Sequence, residues 1–298
     1  MAGPDLGGLW VPIITPITAE GEVDERALAR LARRLLADGC AGLVALGTTG
    51  EPATLEGYER ALVIETCAAA CADRGVPLMV GVGSNCTRST IETVLEVESA
   101  VQPSAVLVVT PYYTRPSEVA IVDHYRAVAG ACATPVVVYN VPYRTGRGLG
   151  SDALLELADT PGVVGLKQAV GALDVATLEV LRGQPAHFQV LAGDDAFIVP
   201  TILMGGVGAI AASGHVCTSA FARMVHAART GHTSDAAALA RVLLPVVTAG
   251  FADPNPAGWK AALHALGEID TPALRRPMSE ATAETVGWLM AAIAAAAD

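Results

Sequence analysis

The sequence predicts an α/β fold, a (β/α)8 TIM barrel with extra C-terminal helices, and three observations carry that expectation. Eight short apolar runs recur along the chain, and none shows the polar alternation of a half-exposed strand. The stretches between them have helical character with recognisable starts and stops. Strands that alternate with helices must pair in parallel through right-handed crossovers, and eight such units close into a barrel more readily than they extend an open sheet.

In chain order the expected strands are LWVPIIT (9–15), AGLVALG (41–47), PLMVGVG (77–83), AVLVVTP (105–111), PVVVYNV (135–141), VVGLKQA (163–169), FQVLAGD (188–194) and VGAIAAS (207–213). Helix starts are expected at Asp24, Thr54, Thr87 and Ser117, whose side chains suit the free N–H groups of a first turn, and Gly39 and Gly75 stand where a glycine ends a helix. The remainder from about Thr218 is too long for one crossover, so further helices should pack on one side. The expected division is 1–220 for the barrel and 221–298 for a C-terminal helical extension packed on it. No linker rich in Pro, Gly and Ser separates the two.

Composition agrees with one large core. The chain has 298 residues, 52% of them hydrophobic and 16% charged, which supplies ample apolar material for a barrel of roughly 250 residues plus extensions. A net charge of -11 without any run of Lys or Arg removes the footprint that a nucleic-acid or anionic-membrane binder needs. The N-terminus lacks the basic-then-apolar pattern of a signal peptide, and no apolar stretch reaches the roughly 18 residues of a membrane span, so the expected location is cytoplasmic. The six cysteines lie in apolar surroundings with no C-x-x-C pair, as in a reduced compartment, and Cys67 and Cys71, one helical turn apart, read as core residues rather than a metal pair.

Polar residues gather where the expected strands end, the face on which such barrels carry their chemistry. They are Thr15, Thr48, Thr49, Asn85, Tyr112, Tyr113, Tyr139, Asn140, Lys167, Gly193 to Asp195, and Ser213. Lys167 stands out, because the chain has only two lysines, Lys167 and Lys260, and Lys167 falls inside a run that must be buried. Burial without a counter-charge disfavours an ammonium, and a neutral amine is a nucleophile for carbonyls. The competing reading is an ion pair with a carboxylate such as Asp194. Schiff-base chemistry also needs groups that move protons as carbinolamine, iminium and enamine interconvert. The nearby tyrosine and threonine hydroxyls suit that need.

Seven motifs in order then carry a resemblance: LGTTGEPATL (46–55), VVTPYYTRPS (108–117), YNVPYRTG (139–146), VVGLKQAVG (163–171), LAGDDAF (191–197), GGVGAI (205–210) and DPNPAGWKAAL (253–263). From about Leu9 to Met278 the chain resembles the dihydrodipicolinate synthase and N-acetylneuraminate lyase superfamily of class I pyruvate aldolases. The resemblance implies that Lys167 forms the Schiff base, that Tyr139 is the acid/base beside it, and that Thr48 passes protons between tyrosines. It further implies that Thr49 binds the keto-acid carboxylate and that Gly193 and Ile210 line the pyruvate pocket. Tyr113 matches a tyrosine inserted into the neighbouring subunit, which implies a homodimer, commonly paired into a homotetramer.

Arg144 is similar to the arginine with which one branch of the superfamily holds aspartate semialdehyde, and a guanidinium fork suits a carboxylate. The implied activity is a lyase that condenses pyruvate with that aldehyde to 4-hydroxy-tetrahydrodipicolinate. The alternative is another class I pyruvate aldolase, or a 2-keto-3-deoxy sugar acid dehydratase or aldolase, of the same family. The partners implied are small-molecule keto acid and aldehyde substrates and further copies of the chain, with no metal, flavin, nucleotide or other cofactor. Gln168, Val170 and His215 depart from the commonest pattern. Pro52, Gly57, Arg60 and Ser89 occupy positions where lysine-sensitive relatives tend to have other residues, so insensitivity to L-lysine is expected.

Other chemistries fit less well. Gly205, Gly206 and Gly208 could mark a phosphate cradle, but that leaves Lys167 and the tyrosines unexplained. GVGAIA has dinucleotide-binding spacing yet precedes a strand instead of following one. A catalytically silent barrel would be expected to lose the lysine or a tyrosine, and both are present.

Overall fold

A computed structural model describes residues 3–297. In chain order the elements are β1 (Gly8–Pro12), α1 (Glu25–Ala37), β2 (Gly42–Ala45), α2 (Gly57–Arg74), β3 (Leu78–Gly81), α3 (Thr87–Val101), β4 (Ala105–Val109), α4 (Glu118–Ala131), β5 (Val136–Asn140), α5 (Pro142–Thr145), α6 (Ser151–Ala158) and β6 (Val163–Gln168). They continue with α7 (Val175–Gly183), β7 (Gln189–Ala192), α8 (Ile198–Leu203), β8 (Gly208–Ile210), α9 (Thr218–Arg229), α10 (Thr233–Gly250), α11 (Ala257–Ala265) and α12 (Ala283–Ala297). Seven strands lie inside their apolar runs and β1 begins one residue before its run, at Gly8, and their order is sequential, β1 through β8, in a closed barrel. The predicted fold is therefore the observed one. Among the described residues no helix is long and apolar enough to cross a membrane.

The chain divides into two compact units, Met79–Ile210 with the N-terminal segment up to Gly7, and Gly8–Leu78 with the segment from Ala211 onward. In the first, parallel pairing sets Val109 beside Tyr139, Tyr139 beside Lys167, Lys167 beside Leu191, and Ala192 beside Ala209. Val136, Val137, Val138 and Leu166 are fully buried, which is the packing that the apolar runs anticipated.

In the second unit β1 pairs with β2, with Trp10 beside Gly42, and a Cβ on Gly42 would lie 2.6 Å from the Trp10 ring. Only glycine fits there. Helix α10 packs against α9 and α12. The Trp259 ring of α11 lies so close to Gly250 that a Cβ there would come within 1.9 Å of it, so this crossing also depends on glycine.

Two of the four expected caps are found. Asp24 accepts from the Ala27 N–H at 2.9 Å, and Ser117 accepts from that of Ala120 at 3.3 Å. The other two are corrected. Thr54 turns its hydroxyl back to the Glu51 carbonyl, and α2 starts instead at a capping box between Glu56 and Glu59. Thr87 lies inside α3, behind Cys86, and its hydroxyl meets His124 Nδ1 at 3.0 Å. Gly39 and Gly75 take the left-handed conformation expected of them, with φ of +96° and +64°.

Candidate active site

Lys167 and Tyr139 are neighbours by register on β6 and β5, so their side chains leave the sheet on the same side. Lys167 Nζ stands 4.3 Å from the centre of the Tyr139 ring, and the lysine is 6% exposed. Among the described residues no carboxylate reaches ion-pair distance of that amine. Asp194, the candidate counter-charge, instead accepts from the Gly171 N–H at 2.6 Å. Burial raises the Asp194 pKa, against the opposing pull of the Gly171 N–H and of Lys167. The buried lysine is thus held by an aromatic face and not by a salt bridge.

The residue after it points the other way. Gln168 accepts from Asn140 Nδ2 at 2.9 Å and donates to Thr177 Oγ1 at 2.9 Å, and Thr177 is bonded in turn to Asp174. This departure from the common pattern serves the packing behind the sheet, since strand neighbours alternate faces. At the strand ends, Gly193 N–H donates to the Gln168 carbonyl at 2.8 Å, and a Cβ on Gly193 would lie 2.8 Å from Ala169 Cβ. Gly193, one residue past β7, and the buried Ile210, the last residue of β8, each follow the paired residues Ala192 and Ala209 by one position, which sets them level at the strand ends.

Arg144 lies exposed in the α5 turn that follows β5. Its Nε donates to the Tyr143 hydroxyl at 3.1 Å, and its guanidinium carbon sits 5.0 Å above the Tyr143 ring, so one aromatic residue orients the fork. Arg115 Nε donates to the Gly146 carbonyl at 2.8 Å and fastens the loop after β4 to this turn. A Cβ on Gly146 would meet Arg115 Nε at 2.9 Å. On that loop Tyr113 is 86% exposed and held at φ +71°, a left-handed conformation that costs an aromatic residue about 1 kcal/mol or more.

Thr48 and Thr49 belong to a 3-10 turn, Thr48–Gly50, just past β2. Thr15 Oγ1 donates to the Gly50 carbonyl at 2.7 Å and braces the turn from the end of β1. Leu46 and Glu51, at φ +53° and +55°, bend the backbone on either side of it. Thr49 is 3% exposed, and its Oγ1 accepts from Asn255 Nδ2 at 3.0 Å. Glu51 forms an ion pair with the fully buried Lys260 and also accepts from the Arg275 N–H at 3.0 Å. Burial pushes the Lys260 pKa down while Glu51 pulls it up. Lys260 Nζ donates to the Ala273 carbonyl at 2.8 Å as well.

His215 lies beyond β8, fully buried, with Nε2 accepting from the Ile14 N–H at 3.0 Å and Nδ1 donating to the Ala212 carbonyl at 2.8 Å. That pairing requires a neutral ring, and burial holds its pKa down to about 4.

Residues 5–296 match the dihydrodipicolinate synthetase family. The chain belongs to that family. A 4-hydroxy-tetrahydrodipicolinate synthase of Moorella thermoacetica is 38% identical, with 96% of this chain and 97% of the relative aligned. The Bacillus subtilis enzyme of the same name is 36% identical over 92% of this chain and 93% of its own. Among solved structures, the dihydrodipicolinate synthase of Thermotoga maritima superposes with a TM-score of 0.95 at 30% identity, covering 99% of both chains. The chloride-inhibited synthase of Acinetobacter baumannii complexed with pyruvate superposes with a TM-score of 0.93 at 31% identity, covering 98% of this chain and 99% of that one. These family members are enzymes.

Asn255 and Arg115 are functional neighbours that the sequence pattern does not single out, beyond their membership of the DPNPAGWKAAL and VVTPYYTRPS motifs, and the rarity of Lys260 does not reveal its pairing with Glu51.

Proposed function

We propose that the chain is a Schiff-base lyase that condenses pyruvate with aspartate semialdehyde to 4-hydroxy-tetrahydrodipicolinate. The observation that carries this reading is Lys167, buried over the ring of Tyr139 on the adjacent strand without a carboxylate partner among the described residues. The naming of the relatives as 4-hydroxy-tetrahydrodipicolinate synthases supports the choice of substrates.

In this mechanism the Lys167 amine adds to the keto carbon of pyruvate, and the carbinolamine loses water to give an iminium. Loss of a methyl proton gives the enamine, whose carbon attacks the aldehyde of the second substrate. The amino group of that substrate then displaces Lys167 from the keto-derived carbon, which closes the ring and frees the enzyme. Tyr139, Thr48 and Tyr113 move the protons, Thr49 holds the keto-acid carboxylate, Gly193 and Ile210 line the pyruvate pocket, and Arg144 holds the carboxylate of the semialdehyde. These roles rest on the family resemblance and on the position of each residue at or just past a strand end.

Tyr113 acts in this reading from a neighbouring copy in a homodimer or homotetramer, and its exposure on a strained loop supports that. We place the enzyme in the cytoplasm, in keeping with its free cysteines.

The test is turnover with pyruvate plus aspartate semialdehyde, measured beside N-acetylneuraminate and a 2-keto-3-deoxy sugar acid. Preferred turnover of the semialdehyde is expected. Preferred cleavage or dehydration of either sugar acid would reassign the enzyme to another pyruvate aldolase or a dehydratase of the family.

A further inference from the structure

Two contacts from one segment of the C-terminal half converge on the threonine turn. Asn255, just before α11, donates to Thr49 Oγ1 at 3.0 Å. Lys260, five residues on, pairs with Glu51, two residues beyond Thr49. The segment itself is held rigidly. Trp259 packs against Gly250 too closely for any larger residue, and it meets Phe251 edge-to-face at 5.3 Å. The α11 helix is thereby fixed in place, and the asparagine with it.

The direction of the hydrogen bond matters. The Asn255 amide N–H occupies a lone pair of Thr49 Oγ1, which leaves the hydroxyl proton free to be donated elsewhere. Without the amide, that hydroxyl would be free to turn its proton toward other acceptors. Asn255 Oδ1, meanwhile, is buried with no partner among the described residues. The amide is satisfied only at the end that faces Thr49.

We infer that Asn255 is a positioning residue, which orients the Thr49 hydroxyl as a hydrogen-bond donor to the carboxylate of the keto acid. The inference rests on the proposed role of Thr49, and it makes the C-terminal extension part of pyruvate recognition. Preorganising a donor lowers what must be ordered when substrate binds, so the effect belongs in pyruvate affinity.

The experiment is borohydride trapping of pyruvate on Lys167 as a function of pyruvate concentration, with steady-state kinetics, for the wild type, Asn255→Ala and Asn255→Asp. An aspartate would accept the Thr49 proton and place a negative charge beside the carboxylate. Asn255→Asp is expected to raise the pyruvate half-saturation about tenfold or more, which corresponds to about 1.4 kcal/mol. Asn255→Ala should raise it less, and KM for the aldehyde should stay within about twofold in both variants. In a Thr49→Val background, Asn255→Asp should add little further, because the hydroxyl it acts through is gone.

Trapping in the wild type with unchanged half-saturation in both variants overturns the role of Asn255 alone. An equal rise in KM for both substrates overturns it too, since that is the mark of general distortion. Absence of trapping in the wild type overturns the Schiff-base reading itself and this inference with it.

Discussion

The two lysines answer the same physical problem in different ways. Lys260 is buried against a carboxylate, and Lys167 is buried against an aromatic ring with no carboxylate in range among the described residues. Removing one partner of a buried ion pair strands the other, at a cost of about 3–5 kcal/mol, whereas replacing both with neutral side chains costs less. Lys260→Met should therefore lower the melting temperature more than Glu51→Gln combined with Lys260→Met; the reverse order in calorimetry would show that the Glu51–Lys260 pair is not a stabilising ion pair. Arg144→Ala should raise KM for the semialdehyde at least about tenfold more than KM for pyruvate, and equal effects would remove it from second-substrate binding. For L-lysine the expected outcome is unchanged turnover at millimolar concentration, and loss of most activity would contradict it. Lys167 and Tyr139 were legible in the sequence because strand ends are local features. Asn255 was not, because its partner Thr49 lies 206 residues away along the chain.

At the scale of elements the strands were the legible part and the helix starts the less legible. A parallel strand is buried on both faces, so its signal is a plain apolar run that no neighbour can disguise. Caps are decided by competition. Asp24 and Ser117 won theirs, while the Thr54 hydroxyl bonds the Glu51 carbonyl and the Thr87 hydroxyl pairs with His124 Nδ1, so that α2 starts at the Glu56 capping box and α3 behind Cys86. The α10 and α11 crossing was hidden in two ordinary-looking glycines, since a Cβ on Gly258 would also come within 2.5 Å of the Gly250 carbonyl. Gly250→Ala is expected to cost at least about 2 kcal/mol of stability, because the Trp259 ring must move. A melting temperature unchanged by that substitution would show that the crossing is looser than the packing indicates.

For the whole molecule, acid stability follows from two buried histidines. Burial holds His215 and His124 down to about 4, against about 6.5 in the unfolded chain. Between those values only the unfolded chain takes up the proton, so stability is complete above about pH 6.5 and declines as pH falls toward 4, at about 1.4 kcal/mol per pH unit for each histidine. His215→Asn should flatten that decline in melting curves taken across the window, and an unaltered slope would assign acid sensitivity to other groups. The barrel itself was predicted from pattern alone, whereas the chemistry needed register: only pairing of β5 with β6 puts Tyr139 beside Lys167. Whether this lysine is the nucleophile is decided by borohydride reduction in the presence of pyruvate, followed by peptide mass analysis. A reduced pyruvate adduct is expected on Lys167 and should disappear in Lys167→Ala, whereas an unmodified Lys167 peptide, or an adduct confined to Lys260, would exclude Lys167 as the nucleophile.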